Sequence, residues 1–161
     1  MTRGVWVRGG RVVDPSQNLD EIADLLLVDG RVERIEAKLT AAAQRGARVV
    51  EAEGLVVAPG FIDLHVHLRE PGQEYKETVR TGTMAAAAGG FTAVACMANT
   101  VPVNDNRSVT EHVLAEASRH GFARVYPIGA VSKGLAGKEL AELGDMAEAG
   151  AVAFSDDGHP I

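Results

Sequence analysis

Units of one strand and one helix recur at nearly constant spacing in the second part of the chain, and this spacing constrains its fold most strongly. β-rich segments begin at Phe61, Phe91, Ala123 and Ala151, which places successive starts 30, 32 and 28 residues apart. Strands that alternate with helices are parallel, so the pattern predicts an α/β fold, either a doubly wound sheet or a (β/α)8 barrel. No GxGxxG motif follows the first strand, which argues against a dinucleotide-binding sheet.

Three helices are predicted between these strands, over 76–90, 107–121 and 137–150, and each closes on glycine. In the third helix Leu140, Leu143 and Ala147 fall on one stripe. We therefore expect this helix to pack on the sheet through that stripe.

Residues 1–59 have a different sequence pattern, with short β-rich runs separated by turn signals. The Gly9-Gly10 and Asp29-Gly30 pairs are typical of hairpin turns. The pattern predicts four to six short antiparallel strands, with a helical or loop stretch around 39–46. So small a sheet needs a covering layer. We expect residues 1–59 to form a small β domain, and 60–161 to be four βα units.

Composition narrows the classes of binding partner and the cellular compartment that we expect for this chain. The net charge is −6 and aromatic residues make up 4%, which argues against nucleic acid or an anionic membrane as the main partner. No apolar run approaches the roughly 20 residues of a membrane span. The single cysteine, Cys96, lies in mid-strand and predicts a buried core thiol and a reducing cytoplasm.

Polar residues gather at the C-terminal end of each predicted strand. In parallel α/β folds these ends share one face, and that face carries the active site. The residues at these ends are His65, His67 and Arg69, then Asn99, then Ser132 and Lys133, and finally Asp156 and Asp157.

The His65-Val66-His67 segment is the most specific indication of a function among these features. Residues i and i+2 of a strand point to the same side, so the two imidazoles can chelate one cation such as zinc. The alternative is two histidines on a polar strand face, but the preceding apolar strand and the following 69–72 segment favour metal binding. Asp156-Asp157 is either a turn before glycine or the carboxylate that completes the site.

Arg69 and Asn99 are candidates for binding an anionic substrate. Arg69 lies on the histidine face if the strand continues that far, and its guanidinium suits a carboxylate. Asn99 would lie beside it and donate to the same group. A solvated charge and a turn residue are the alternatives. His112 and His120 are predicted to be surface or packing residues, while Lys133 and His159 have no assigned role.

Four motifs together resemble the dihydroorotases of the amidohydrolase superfamily, in their long-chain bacterial type. The resemblance is weak over 1–50 and strong over 54–161. The motifs are PGFIDLHVHLREPG at 59–72, TGTMAAAAGG at 81–90, MANTVP at 97–102 and AVAFSDDG at 151–158. The third has Ala98 where the family often has proline, a change expected to affect loop stiffness more than chemistry.

The resemblance implies the first half of a (β/α)8 TIM-type barrel, with residues 1–59 as the N-terminal part of a small β-sandwich domain. It also implies a role for each candidate residue. His65, His67 and Asp157 would ligate zinc, with two ions per complete site, and Arg69 and Asn99 would hold the substrate α-carboxylate. The implied reaction is the reversible conversion of N-carbamoyl-L-aspartate to L-dihydroorotate in pyrimidine biosynthesis, with zinc activating water and polarising the ring carbonyl.

The family also uses two further histidines and an aspartate general acid/base from strands five, six and eight. The resemblance therefore implies an N-terminal portion that has no catalytic acid/base of its own and is inactive alone. The implied partners are the small-molecule substrate, the remainder of its own barrel, a second copy in a homodimer, and aspartate transcarbamoylase.

Two alternatives remain open. Allantoinases and dihydropyrimidinases share the HxH motif but generally carry a lysine where this chain has Ser155-Asp156-Asp157. A non-catalytic homologue that partners aspartate transcarbamoylase would tend to lose the histidine ligands, and this chain keeps both.

Overall fold

The computed structural model describes residues 4–40 and 46–161, which belong to two compact units, Met1–Pro59 and Gly60–Ile161. Within the described ranges, no helix has both the length and the hydropathy that a membrane crossing requires.

The first unit contains one sheet with the strand order β3-β2-β1-β4, and β5 also pairs with β1. The strands are β1 (Gly4–Asp14), β2 (Leu19–Val28), β3 (Arg31–Glu36), β4 (Arg48–Glu51) and β5 (Val56–Val57). Its core is formed by Val12, Ala23 and Leu25.

The prediction of a wholly antiparallel sheet is wrong. The β1–β2 and β2–β3 pairs are antiparallel, but β4 and β5 both run parallel to β1. The chain leaves β3 at one edge and re-enters beside β1, and such a crossover can deliver a parallel strand where a hairpin cannot. The predicted stretch at 39–46 falls largely outside the described residues. No second sheet occurs in the described part of this unit, so the sandwich stays a prediction.

The two glycine pairs have different roles. Asp29 and Gly30 both have positive φ, at 49° and 78°, and join β2 to β3 in the predicted hairpin turn. The turn predicted at Gly9-Gly10 is wrong, because β1 continues through it with a register shift. Gly9 has a φ of +69°, and its amide donates to Oδ1 of the buried Asp24 at 2.9 Å. This pair therefore makes a bulge.

The second unit confirms the α/β prediction, with parallel strands in the order β6-β7-β8-β9. Its elements in chain order are β6 (Phe61–Val66), α1 (Val79–Ala88), β7 (Phe91–Cys96), α2 (Arg107–His120), β8 (Arg124–Gly129), α3 (Leu143–Ala149) and β9 (Ala153–Phe154). Its main core cluster contains Leu68, Val79, Val94, Cys96, Val113 and Val125.

The third helix is shorter than predicted, because α3 begins only at Leu143. The preceding residues bond back toward the end of β8, where the Ala141 amide donates to the Val131 carbonyl at 2.9 Å. This bonding holds Leu140 outside the helix, with 66% of its surface exposed. The predicted packing stripe is therefore wrong, and Met146, which is fully buried, makes the core contact of α3.

The Met146 side chain packs against β8 at Gly129. A Cβ atom placed on Gly129 would lie 3.0 Å from the Met146 sulfur and 2.9 Å from a ring carbon of Phe154. Only a residue without a side chain fits between them, so Gly129 sets the approach of α3 to β8 and β9.

We predict that Met146→Ala lowers the free energy of unfolding by about 2–5 kcal/mol, because it opens a cavity under α3. Met146→Leu keeps the volume and should cost less than about 1.5 kcal/mol. Urea denaturation of the complete open reading frame's product checks both values. Equal effects of the two substitutions would show that Met146 is not a packing residue.

Candidate metal centre

The C-terminal edge of the parallel sheet brings together side chains from three of its four strands. His65 is the penultimate residue of β6, and His67 follows its end. Asn99 lies three residues beyond β7, and Asp157 lies three residues beyond β9. Parallel pairing aligns these strand ends, which is why residues far apart in sequence meet there.

His65, His67 and Asp157 each offer one ligand atom, and these atoms all lie within 4.8 Å of one another. Nε2 of His65 is 3.0 Å from Oδ1 of Asp157. The two imidazole rings stand nearly edge to face, with centroids 5.2 Å apart. Two imidazoles and a carboxylate are ordinary zinc ligands, so the chemistry and the spacing of this group fit a zinc ion.

Asn99 contacts two of these three side chains. Its Nδ2 donates to Oδ2 of Asp157 at 2.9 Å, and its Oδ1 lies 3.0 Å from Nδ1 of His67. The sequence predicted Arg69 as its neighbour and missed these two contacts. Gln73, which the sequence did not single out, donates from Nε2 to the Asn99 carbonyl at 3.2 Å.

Arg69 reaches this edge by a turn. The sequence placed Arg69 on the histidine face only if the strand continued that far, and it does not, because β6 ends at Val66 and Arg69 has a φ of 60°. Its carbonyl accepts a hydrogen bond from the Gln73 amide at 3.0 Å, which closes the turn. The side chain is half-buried, and no ion pair formed within the described ranges includes its guanidinium. That charge is available to an anion.

The two adjacent aspartates have different roles. Asp156 is buried and accepts hydrogen bonds from the amides of Val131 and Ser132, at 2.8 and 3.0 Å, and from the Ser132 hydroxyl. Burial acts to raise the pKa of Asp156, but these hydrogen bonds outweigh it and hold the pKa below its usual value. Asp156 thus fixes the loop after β8, while Asp157 faces the histidines.

Strand alternation does not explain the divergence of the two aspartates, because Asp157 lies in a turn with a φ of 55°. The buried partners of Asp156 lie in another βα unit, and no local pattern reveals them.

The residues without an assigned role lie at the margin of this site. Lys133 is exposed, and its ammonium is 2.5 Å from the Glu139 carboxylate. The hydrogen bond to Glu139 raises the pKa of Lys133. His159 is exposed, and its amide donates to the Asp156 carbonyl at 3.1 Å.

Three further residues make none of the contacts described above for His65, His67, Asn99 and Asp157. His112 and His120 are exposed on α2. Cys96 is buried in β7, and burial raises the pKa of its thiol to about 12. A thiol with that pKa is not a nucleophile near neutral pH.

We predict that Asp156→Ala mainly lowers stability, whereas Asp157→Ala mainly lowers zinc binding. Asp156→Ala leaves several donors without an acceptor and should lower the free energy of unfolding by roughly 2–4 kcal/mol. In chelator-treated protein, Asp157→Ala should change it by less than about 1 kcal/mol. Asp157→Ala, like His65→Ala or His67→Ala, should instead remove most bound zinc. Denaturation and elemental analysis check the pair, and full zinc content in a His65→Ala/His67→Ala double variant would contradict the assignment.

Two sequence relatives of this chain are named dihydroorotase. A dihydroorotase from Geotalea daltonii is 55% identical over 157 residues, 98% of this chain and 36% of its own length. A dihydroorotase from Geobacter sulfurreducens is 56% identical over 155 residues, 96% of this chain and 36% of its own length. The chain thus spans about a third of the length of the curated relatives that it matches.

Solved structures with a similar fold include an L-hydantoinase (dihydropyrimidinase) from Arthrobacter aurescens. It superposes with a TM-score of 0.77 at 26% identity, covering 96% of this chain and 32% of that one. A dihydropyrimidinase from Brevibacillus agri gives a TM-score of 0.66 at 29% identity, covering 80% and 27%. The "Dihydro-orotase-like" family model matches residues 54–161. The chain therefore belongs to the dihydroorotase-like family.

Proposed function

We propose that this chain is part of a zinc-dependent dihydroorotase, which interconverts N-carbamoyl-L-aspartate and L-dihydroorotate in pyrimidine biosynthesis. The observation that carries the proposal is the convergence of His65, His67 and Asp157, whose ligand atoms lie within 4.8 Å of one another. The names of the sequence relatives supply the substrate.

Zinc is the ion that this donor set suits best, since it takes imidazole nitrogen and carboxylate oxygen in compact tetrahedral sites. A bound zinc ion would supply Lewis acidity and lower the pKa of water enough to give a nucleophile near neutral pH. His65, His67 and Asp157 would hold one such ion. The second ion that the family resemblance implies would need further ligands.

Substrate recognition would fall to the polar groups beside the metal ligands. The Arg69 guanidinium forms no ion pair with the residues that the structure describes, and its planar fork matches a carboxylate in bidentate geometry. Asn99 has a second Nδ2 hydrogen besides the one donated to Asp157, and that hydrogen can also reach an anion. These two residues would anchor the α-carboxylate and orient the ring amide toward the metal ligands.

The remaining proposals concern the whole protein. Because the outer strands of the parallel sheet, β6 and β9, each have one unpaired edge among the described residues, we propose that further βα units close a (β/α)8 barrel. The first unit would then be part of a small β-sandwich domain. We also propose that a general acid/base lies outside these 161 residues and that the 161 residues alone are inactive without it. The whole protein would be cytoplasmic, form a homodimer and associate with aspartate transcarbamoylase.

A second candidate function is hydrolysis of hydantoins or dihydropyrimidines. Three solved structures with a similar fold carry those names, at 26–29% identity. The sequence relatives at 55–56% identity are dihydroorotases, which favours the first candidate. The two functions differ in whether the ring substrate carries a carboxylate for Arg69.

Dihydroorotate and dihydrouracil, which differ by that carboxylate, separate the candidates. With the zinc-loaded product of the complete open reading frame, we predict a kcat/KM for dihydroorotate at least about 100-fold above that for dihydrouracil, hydantoin or allantoin. A site built around a buried polar contact rejects the analogue that lacks the partner. Equal or faster turnover of dihydrouracil would favour the second candidate.

We predict that Arg69→Met lowers kcat/KM for dihydroorotate roughly 10- to 100-fold, the equivalent of a lost charged hydrogen bond. Zinc content should not change. Arg119→Met, at an exposed position on α2, is the matched control and should leave kcat/KM unchanged. If Arg69→Met stays within about twofold of the wild type, Arg69 is a surface charge.

A further inference from the structure

We infer that Asn99 is a positioning residue that orients two of the three zinc ligands with a single amide group. The inference rests on the proposed zinc site and adds to it a role that substrate binding does not require. Its basis is that both polar ends of one side chain are engaged with ligands from different parts of the fold.

The acceptor chemistry of Asp157 fixes which end of the amide faces which ligand. An ionised carboxylate only accepts hydrogen bonds, so the NH2 group of Asn99 must face Asp157, where the Nδ2–Oδ2 distance is 2.9 Å. The carbonyl Oδ1 of Asn99 then faces His67, 3.0 Å from Nδ1. A carbonyl oxygen cannot donate, so Nδ1 of His67 must carry the proton.

That proton determines the metal-binding atom of His67. With a hydrogen on Nδ1, the neutral imidazole has its lone pair on Nε2, and only a nitrogen with a lone pair can ligate a cation. Metal-binding histidines commonly donate their other N–H to a fixed acceptor, which sets the ring orientation. In this chain the Asn99 carbonyl oxygen is that acceptor.

The same amide also directs Asp157. Its bond to Oδ2 occupies one carboxylate oxygen and leaves Oδ1 toward the histidines, 3.0 Å from Nε2 of His65. The Asn99 side chain, in the loop after β7, thus links His67, 32 residues earlier in the chain, to Asp157, 58 residues later. The ligand geometry is in this way set before an ion arrives.

The backbone around Asn99 is held firmly enough for this role. Its carbonyl accepts from the Gln73 side chain at 3.2 Å, and its neighbours Ala98 and Thr100 are both buried. A fixed backbone lets a short side chain define ligand positions, because asparagine has only two side-chain torsions.

Chelator competition on the product of the complete open reading frame tests the inference. Asn99→Ala should raise the Kd for zinc about 10- to 100-fold, as loss of such a supporting partner typically does. Arg69→Met, at the same edge but with no hydrogen bond or ion pair to His65, His67 or Asp157, should change the Kd for zinc by less than about twofold.

Nitrogen-15 NMR of histidine side chains in the metal-free wild type provides a readout that needs no variant to fold. His67 should be in the Nδ1–H tautomer, and Asn99→Ala should remove that preference. An Nε2–H tautomer in the wild type, or an unchanged zinc Kd in Asn99→Ala, would overturn the role of Asn99 and leave the zinc site standing. A wild type that binds no zinc would overturn both.

Discussion

Parallel pairing of β6, β7, β8 and β9 is the constraint on which the candidate site depends. Each parallel strand needs a return crossover, so the helices lie between strands and all four carboxyl ends come to one edge. This arrangement brings His65 within 3.0 Å of Asp157, although a helix-containing crossover separates every strand from the next. The parallel topology therefore determines where the site lies, whichever residues stand at the strand ends.

Buried polar groups hold the loops at that edge in place. Asn104 donates from Nδ2 to the Ile128 carbonyl at 3.0 Å and accepts from the Thr110 hydroxyl at 2.7 Å, which joins the β7 loop, β8 and α2. Asp156 makes the equivalent connection between the loops after β8 and β9. A ligand group needs such support, because loops without it would not keep side chains within bonding distance of one ion.

The order of strands and helices in the second unit could be predicted from sequence, because glycine stops and apolar periodicity are local signals. The start of α3 could not, because the bond from Ala141 to Val131 competes with the helix and is invisible to periodicity. In the first unit, Gly9 resembled a turn, but the buried carboxylate of Asp24 makes it a bulge. Both errors come from tertiary hydrogen bonds that override local preference.

In the candidate site, too, local patterns predicted some features, while others depend on tertiary contacts. The histidine spacing alone predicted two side chains on one strand end, and the structure brings them beside Asp157. The bridging contacts of Asn99 depend on the distance between the ends of β6, β7 and β9, which no local pattern specifies. The direction of Arg69 depends on a positive φ just beyond the end of β6.

The central claim is that His65, His67 and Asp157 hold one zinc ion, and anomalous diffraction tests it most directly. Data collected on both sides of the zinc absorption edge, from crystals of the complete open reading frame's product, locate the ion without reference to activity. We expect an anomalous peak about 2.0–2.2 Å from Nε2 of His67, a nitrogen of His65 and Oδ1 of Asp157. A zinc peak bound by other residues, or none at this edge of the sheet in zinc-loaded crystals, would contradict it.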